Sequence, residues 1–146
     1  SSGAINLNGG TLSLALGGNT LQNASTITFN GGALTDSAAA ATTDTISNPL
    51  VLNSSGTITS TTANATLALT GGISGAGGIN KAGSGILSVS GSNSYLGTTA
   101  INAGILNITN TNGLGDAGGG AITIATASTL RLNLGGATLT NPNTIT

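Results

Sequence analysis

Residues 11–28 read TLSLALGGNTLQNASTIT, and residues 129–146 read TLRLNLGGATLTNPNTIT. Twelve of these eighteen positions are identical at an offset of 118 residues. In both copies apolar residues alternate with Thr, Ser or Asn, and the run stops at a pair of glycines. Alternation with period two is typical of a half-buried β-strand, and glycine adopts the positive φ angles that tight turns need. The chain is therefore predicted to repeat strand–turn units.

Short alternating bursts of the same kind recur along the whole chain. Examples are Ile5 and Leu7, Ile27 and Phe29, Leu67 and Leu69, Leu87 and Val89, Leu106 and Ile108, and Ile122 and Ile124. Apolar residues nowhere recur at helical spacing over ten residues, so an all-β fold without helices is expected. One Phe and one Tyr beside 33 Leu, Ile and Val favour a narrow aliphatic core over a sandwich or barrel.

These features predict a parallel β-helix, or β-solenoid, in which each coil contacts only its neighbours. At ~20–25 residues per coil the chain makes about six or seven coils. Residues 1–146 are expected to form a single solenoid segment, a window of a longer repeat array, since the first residue is Ser1 and no Met is present. Thr on the outer face and Asn in the turns are expected to stack as ladders between coils.

The composition excludes several classes of function. Only five of the 146 residues are charged, and the chain has no His and no Cys. Zinc, haem and iron–sulfur sites lack their ligands, and two scattered cations cannot bind nucleic acid electrostatically. No apolar run approaches the ~18 residues of a membrane span. We therefore expect no catalytic, metal-binding or cofactor-binding residues, no enzyme activity, no nucleic-acid partner and no direct membrane insertion.

Residues 75–108 read GAGGINKAGSGILSVSGSNSYLGTTAINAGILNI. The Gly-rich turn, the lone Lys81, and the later Asn93, Tyr95 and Ala103-Gly104 resemble the autotransporter-associated β-strand repeat, also called the passenger-associated transport repeat. The resemblance implies a right-handed β-helix exported to the bacterial surface by type V secretion, usually within a long adhesin or fibre. Localisation at the cell surface or in the extracellular space follows from the same resemblance.

The residues with the richest chemistry are each given a structural interpretation. Lys81 is expected at a solvated turn, with the Tyr95 ring packed over a coil edge. Asp36 and Asp44 flank an alanine-rich stretch, residues 37–43, that is interpreted as an outward loop. Asp116 is expected in a Gly-rich turn. A polysaccharide-lyase site would require several acids and a cation on one face of the solenoid. The positions of these three Asp residues in the sequence do not indicate such a cluster.

The leading hypothesis is a non-catalytic stalk or spacer of an adhesin-type passenger, whose vectorial folding assists its export. The alternatives are an extracellular fibre subunit that stacks end to end and, more distantly, a fragment of a polysaccharide-active enzyme. The expected partners are neighbouring coils of the same polypeptide or identical subunits at the ends, together with a host or neighbouring-cell surface.

Two further expectations concern the chain in solution. With so few titrating groups, stability should be nearly flat from about pH 3 to pH 9. Trypsin, which has only Lys81 and Arg131 to cleave after, should leave most of the folded chain intact.

Overall fold

A computed structural model describes residues 3–22, 25–140 and 143–146, and within them the regular elements are all strands. The strands form three parallel sheets. Sheet A contains β1 (Ile5–Leu7), β4 (Ile27–Phe29), β7 (Leu50–Leu52) and β10 (Ile73–Ser74). Sheet B contains β2 (Thr11–Leu14), β5 (Ala33–Asp36), β8 (Gly56–Ser60), β11 (Ile79–Ala82), β13 (Thr99–Ile101) and β15 (Ile122–Ile124). Sheet C contains β3 (Thr20–Leu21), β6 (Thr43–Ile46), β9 (Thr66–Leu69), β12 (Ile86–Val89), β14 (Ile105–Ile108) and β16 (Thr129–Leu132).

Successive strands enter different sheets, and each strand pairs in parallel with the equivalent strand one coil away. This connectivity is that of a β-solenoid, as predicted. It makes about five turns, slightly fewer than the six or seven expected. Beyond β16 the described residues add an isolated bridge between Ile122 and Ile145.

The coil is shorter around β9 to β14 and lengthens again to 23–24 residues in the last coil. Ile27 pairs with Leu50, 23 residues later, whereas Ile86 pairs with Ile105, 19 residues later. Sheet A has no described strand after β10, so the later coils have strands only in sheets B and C. Irregular segments that include residues 91–98 and 109–121 replace the missing strands.

The core consists of inward-facing side chains stacked in columns along the sheets. One column of sheet C contains Asp44, Leu67, Leu87, Leu106 and Leu130 in successive coils. One column of sheet B contains Leu12, Leu34, Ile58, Lys81, Ile101 and Ile124. Each of these two columns is aliphatic apart from one charged residue, Asp44 in sheet C and Lys81 in sheet B.

The 118-residue recurrence does not correspond to a whole number of coils. The first copy, TLSL at 11–14, lies in sheet B, and its counterpart TLRL at 129–132 lies in sheet C. The turns that follow are nevertheless alike, with φ angles of 65° and 87° at Gly17 and Gly18 and of 60° and 90° at Gly135 and Gly136. The recurring sequence therefore specifies a strand and its turn, but not the face of the solenoid.

The expected asparagine ladder is present at the turns that follow sheet A. The side-chain amide of Asn53 donates to Asn30 at 2.9 Å, and the amide of Asn30 donates to Asn8 at 2.8 Å. The ladder connects three coils on the exposed surface. In the described part of the chain there is no helix with the length and hydrophobicity to span a membrane.

Candidate functional site

Lys81 is buried, which corrects the expectation of a solvated turn. It occupies the inward column of β11, between Ile58 and Ile101, with no exposed surface. Its Nζ donates to the backbone carbonyls of Ala82 at 2.7 Å, Gly83 at 2.8 Å and Ala103 at 3.1 Å. The aliphatic stem thus continues the apolar column, while the ammonium binds carbonyls of its own coil and of the next.

The three carbonyls replace the water that the ammonium loses on burial. Desolvation nonetheless lowers the pKa of Lys81 to about 8, because carbonyl dipoles compensate the lost hydration only in part. An ammonium has three protons to donate, and all three have acceptors here. Lys81 is consequently a link between coils, with no proton left to offer a ligand.

Tyr95 and Asn93 lie in the irregular segment that replaces sheet A, and both point inward. The Tyr95 hydroxyl is 2.6 Å from the Thr99 hydroxyl, and burial raises the pKa of its phenol to about 12. The prediction that this ring packs over a coil edge is therefore wrong. An inward ring suits the segment, because it fills space that strand side chains of sheet A occupy in earlier coils.

Asn93 connects three consecutive coils through its side chain. Its Oδ1 accepts from the backbone N–H of Ile73 at 2.8 Å, and its Nδ2 donates to the carbonyl of Gly113 at 2.7 Å. The three residues are spaced 20 positions apart, one coil each. In the sequence, Asn93 stands out only as part of the motif at residues 75–108. Its spacing of two from Tyr95 is the signal that both face the same side.

The three carboxylates do not form the exposed cluster that a lyase-type site would require, because Asp36 and Asp44 are enclosed and Asp116 lies apart from them on the surface. Asp116 is exposed in a turn, where its Oδ1 accepts from the Ala117 N–H at 2.6 Å. It lines a surface groove of about 370 Å³ together with Ser92, Ser94, Asn112 and Thr140, among other residues. No second acid and no cation line that groove in the described chain.

Asp36 and Asp44 contradict the expectation for their loop in one respect. Residues 39–41, between them, are exposed as expected, but both carboxyl groups point into the solenoid and have no exposed surface. The sequence around Asp36 and Asp44, two acids beside a run of alanines, does not indicate that their carboxyl groups are buried. The inward position follows from strand pairing, because Asp36 pairs with Leu14 and Asp44 with Leu67.

Comparison with known proteins identifies the segment that contains Lys81, Asn93 and Tyr95. Residues 79–108 match the family model of the passenger-associated-transport-repeat. The matched segment begins at β11 and ends with β14, so it consists of the sheet B and sheet C strands of two adjacent coils and the irregular segment between them. Neither the curated proteins nor the solved structures contain a match to the chain.

Proposed function

We propose that this β-solenoid is a non-catalytic stalk or spacer segment of a secreted, adhesin-type passenger at the bacterial cell surface. The observation that carries the proposal is the use made of the polar side chains in the matched repeat. Lys81, Asn93 and Tyr95 are all buried, and their polar atoms bind groups of their own or adjacent coils. A segment whose polar chemistry is directed inward contributes cohesion and length.

Length is what a spacer supplies. Five turns at ~4.8 Å per strand spacing correspond to a stack about 24 Å high, and each added coil extends it without a new kind of contact. Because each coil packs only on its neighbours, folding can propagate from one coil to the next. For a passenger that emerges in extended form, such stepwise folding outside the cell would oppose backward movement and so assist export.

Surface display tests this proposal. The chain, with an epitope tag at its first residue, would be fused to the translocating part of a type V secretion system and detected with antibody on intact Gram-negative cells. We expect the tag to be accessible. Failure of the tag to reach the surface, while a known passenger segment in the same fusion does, would reject the assignment.

A matched pair of glycine variants tests the contribution of folding. A Cβ at Gly104, where φ is +69°, would lie 2.5 Å from the carbonyl oxygens of Gly83 and of Gly85, whereas a Cβ at Gly118 has no atom within 4 Å. Gly104→Ala should therefore lower the surface amount several-fold, and Gly118→Ala should not. Equal display of both variants, with Gly104→Ala shown to be destabilised in purified form, would contradict assistance by folding.

End-to-end assembly into a fibre is the second candidate. It is favoured by exposed apolar side chains on the last coil, where Leu132 is 45% and Ile145 47% exposed. It is disfavoured by sheet A, since β1 of an added copy would meet no described strand of that sheet beyond β10. Sedimentation of the purified chain distinguishes the two, because a concentration-independent monomer supports the spacer and growth with concentration supports the fibre.

A further inference from the structure

Two carboxyl groups share one corner inside the solenoid. Asp36 is the last residue of β5 in sheet B, and Asp44 is the second residue of β6 in sheet C. Neither side chain has any exposed surface, and both lie against the same stretch of the preceding coil, since Asp36 pairs with Leu14 and Asp44 accepts from the backbone N–H groups of Leu16 and Gly18. Two buried carboxylates in contact cannot both remain ionised without a compensating positive charge.

The two carboxyl groups have different surroundings. Asp44 accepts backbone N–H groups of the preceding coil, from Leu16 to Oδ2 and from Gly18 to Oδ1, both at 2.6 Å. Each carboxylate oxygen of Asp44 therefore has a backbone donor. Neither oxygen of Asp36 has a donor in full hydrogen-bond geometry in the described ranges, and the Ala38 backbone amide favours its charged form only weakly. Asp36 is therefore the member that holds a proton.

No cationic side chain is available to this corner in the described chain. The strands packed against β5 and β6 contribute Leu14 from β2, Ser60 from β8 and Leu67 from β9, none of which titrates. β3, which also pairs with β6, contributes only Thr20 and Leu21. The ammonium of Lys81 lies in a different column and binds carbonyls.

The remaining charged side chains are also distant in the fold from this corner. Asp116 is an exposed residue of a late turn, and Arg131 is exposed on the last strand of sheet C. The corner therefore has no protein charge to balance the second carboxylate.

We propose that the native chain binds one proton between Asp36 and Asp44, and that this proton stabilises the packing of the first coils on one another at acidic pH. The protonated Asp36 donates its O–H to the Asp44 carboxylate, which in turn holds the turn at Leu16–Gly18 of the coil before. Loss of the proton leaves two like charges in contact within an apolar interior. The coils that β2, β5 and β6 connect are then the part of the solenoid that loosens as the pH rises.

The pKa of Asp36 agrees with this geometry. Burial and the neighbouring Asp44 raise it to about 6, from an ordinary value of 3.8. The proton is therefore gained and lost near pH 6, a pH that the medium around a bacterial cell can reach.

Carbon NMR of the carboxyl groups provides a direct test, because the chain has three Asp and no Glu. In the wild-type protein one of the three Asp side-chain resonances should titrate near pH 6. Asp36→Asn, which keeps the shape and can still donate to Asp44, should abolish that titration. Its melting temperature should be constant from pH 4 to pH 7, whereas that of the wild type should fall by about 4–8 °C.

Asp116→Asn is the matched control, and it should retain the wild-type profile. The proposal is overturned if all three carboxyl groups of the wild type titrate below pH 5, a measurement that does not depend on how well any variant folds. It is also overturned if Ca²⁺ or Mg²⁺ at pH 7.5 raises the melting temperature of the wild type but not of Asp36→Asn. The corner would then bind a metal cation in place of the proton.

Discussion

At the residue scale, Lys81 shows how a charge is accommodated in a column of aliphatic side chains. Its methylene groups occupy the same position in their coil that Ile58 and Ile101 occupy in the neighbouring coils. In the described chain the ammonium has no carboxylate partner and is held by three carbonyls, those of Ala82 at the end of β11, Gly83 in the turn after it and Ala103 in the next coil. The free-energy cost of burying the Lys81 ammonium is thus reduced by the dipoles of these carbonyl groups.

Replacing Lys81 by Met tests this account, since Met fills a similar volume without the charge. The three carbonyls would lose their donor, so we expect a destabilisation of about 1–3 kcal/mol at pH 7. The gain in stability of the wild type between about pH 8 and pH 10.5 should also disappear.

Denaturant unfolding of Lys81→Met across this pH range measures both effects. Arg131→Met is the control, because Arg131 is exposed in β16, and it should change neither. A variant of Lys81 that keeps the alkaline gain would show that another group causes it.

At the element scale, the solenoid changes its cross-section where sheet A ends. In the earlier coils β1, β4, β7 and β10 close the third side by backbone pairing. In the later coils irregular segments close it. Backbone bonds between coils continue there, such as Ser94 N–H to the Ile73 carbonyl and Asp116 N–H to the Tyr95 carbonyl, and side-chain hydrogen bonds add to them. Asn93 provides two of these bonds, and the Tyr95 ring lies against Gly115, where an added Cβ would be 3.2 Å from two ring carbons. The coils around this change of cross-section span only 19–20 residues, whereas the last coil again spans 23–24.

Asn93→Ala should destabilise the protein by about 2–4 kcal/mol, because a buried N–H and a buried carbonyl each lose a partner. Amide exchange at Ile73, whose N–H is bound by Asn93, should accelerate in parallel.

Asn30→Ala is the matched control, since Asn30 also makes two side-chain hydrogen bonds but in an exposed ladder. Water can replace those bonds, so its loss should stay below about 1 kcal/mol. Equal losses for the two variants would argue that burial does not determine what these amides contribute.

At the scale of the whole molecule, the shifted pKa values of Asp36 and Lys81 predict a pH profile that is not flat, in contrast to the expectation from composition. A raised pKa of about 6 at Asp36 means that the native state binds more protons than the unfolded state between about pH 4 and pH 6, so stability falls as the pH rises. A lowered pKa of about 8 at Lys81 means that the unfolded state binds more protons between pH 8 and pH 10.5, so stability rises.

Stability should therefore be lowest between about pH 6 and pH 8. We expect the melting temperature at pH 4 and at pH 10 to exceed that at pH 7 by about 4 °C or more. Calorimetry at constant ionic strength measures this profile. A maximum near neutral pH would contradict the burial of both groups.

Limited proteolysis reports on the same fold. Lys81 is buried within a strand of sheet B, whereas Arg131 is exposed on the terminal strand of sheet C. Trypsin should therefore cut the native chain only after Arg131, and mass spectrometry should find a stable fragment of residues 1–131. Early appearance of a fragment ending at Lys81 would mean that β11 opens readily.

The amino-acid sequence by itself determined the local conformation of this protein. The alternating bursts form strands, and the recurring Gly-Gly turns have nearly the same φ angles in both copies. The motif at 75–108 was sufficient to predict the repeat that the family comparison found at 79–108. Local structure is predictable in this way because side-chain alternation and backbone freedom act between residues close in the chain.

Only the tertiary structure decided which sheet each strand enters and which polar side chains are enclosed. The two copies of the recurring sequence lie in different sheets, and Asp36, Asp44 and Lys81 turn inward beside ordinary aliphatic neighbours. These outcomes depend on partners 19–25 residues away in the adjacent coil. A buried charge is tolerated only where that coil supplies N–H groups, carbonyls or a shared proton, which no single stretch of sequence contains.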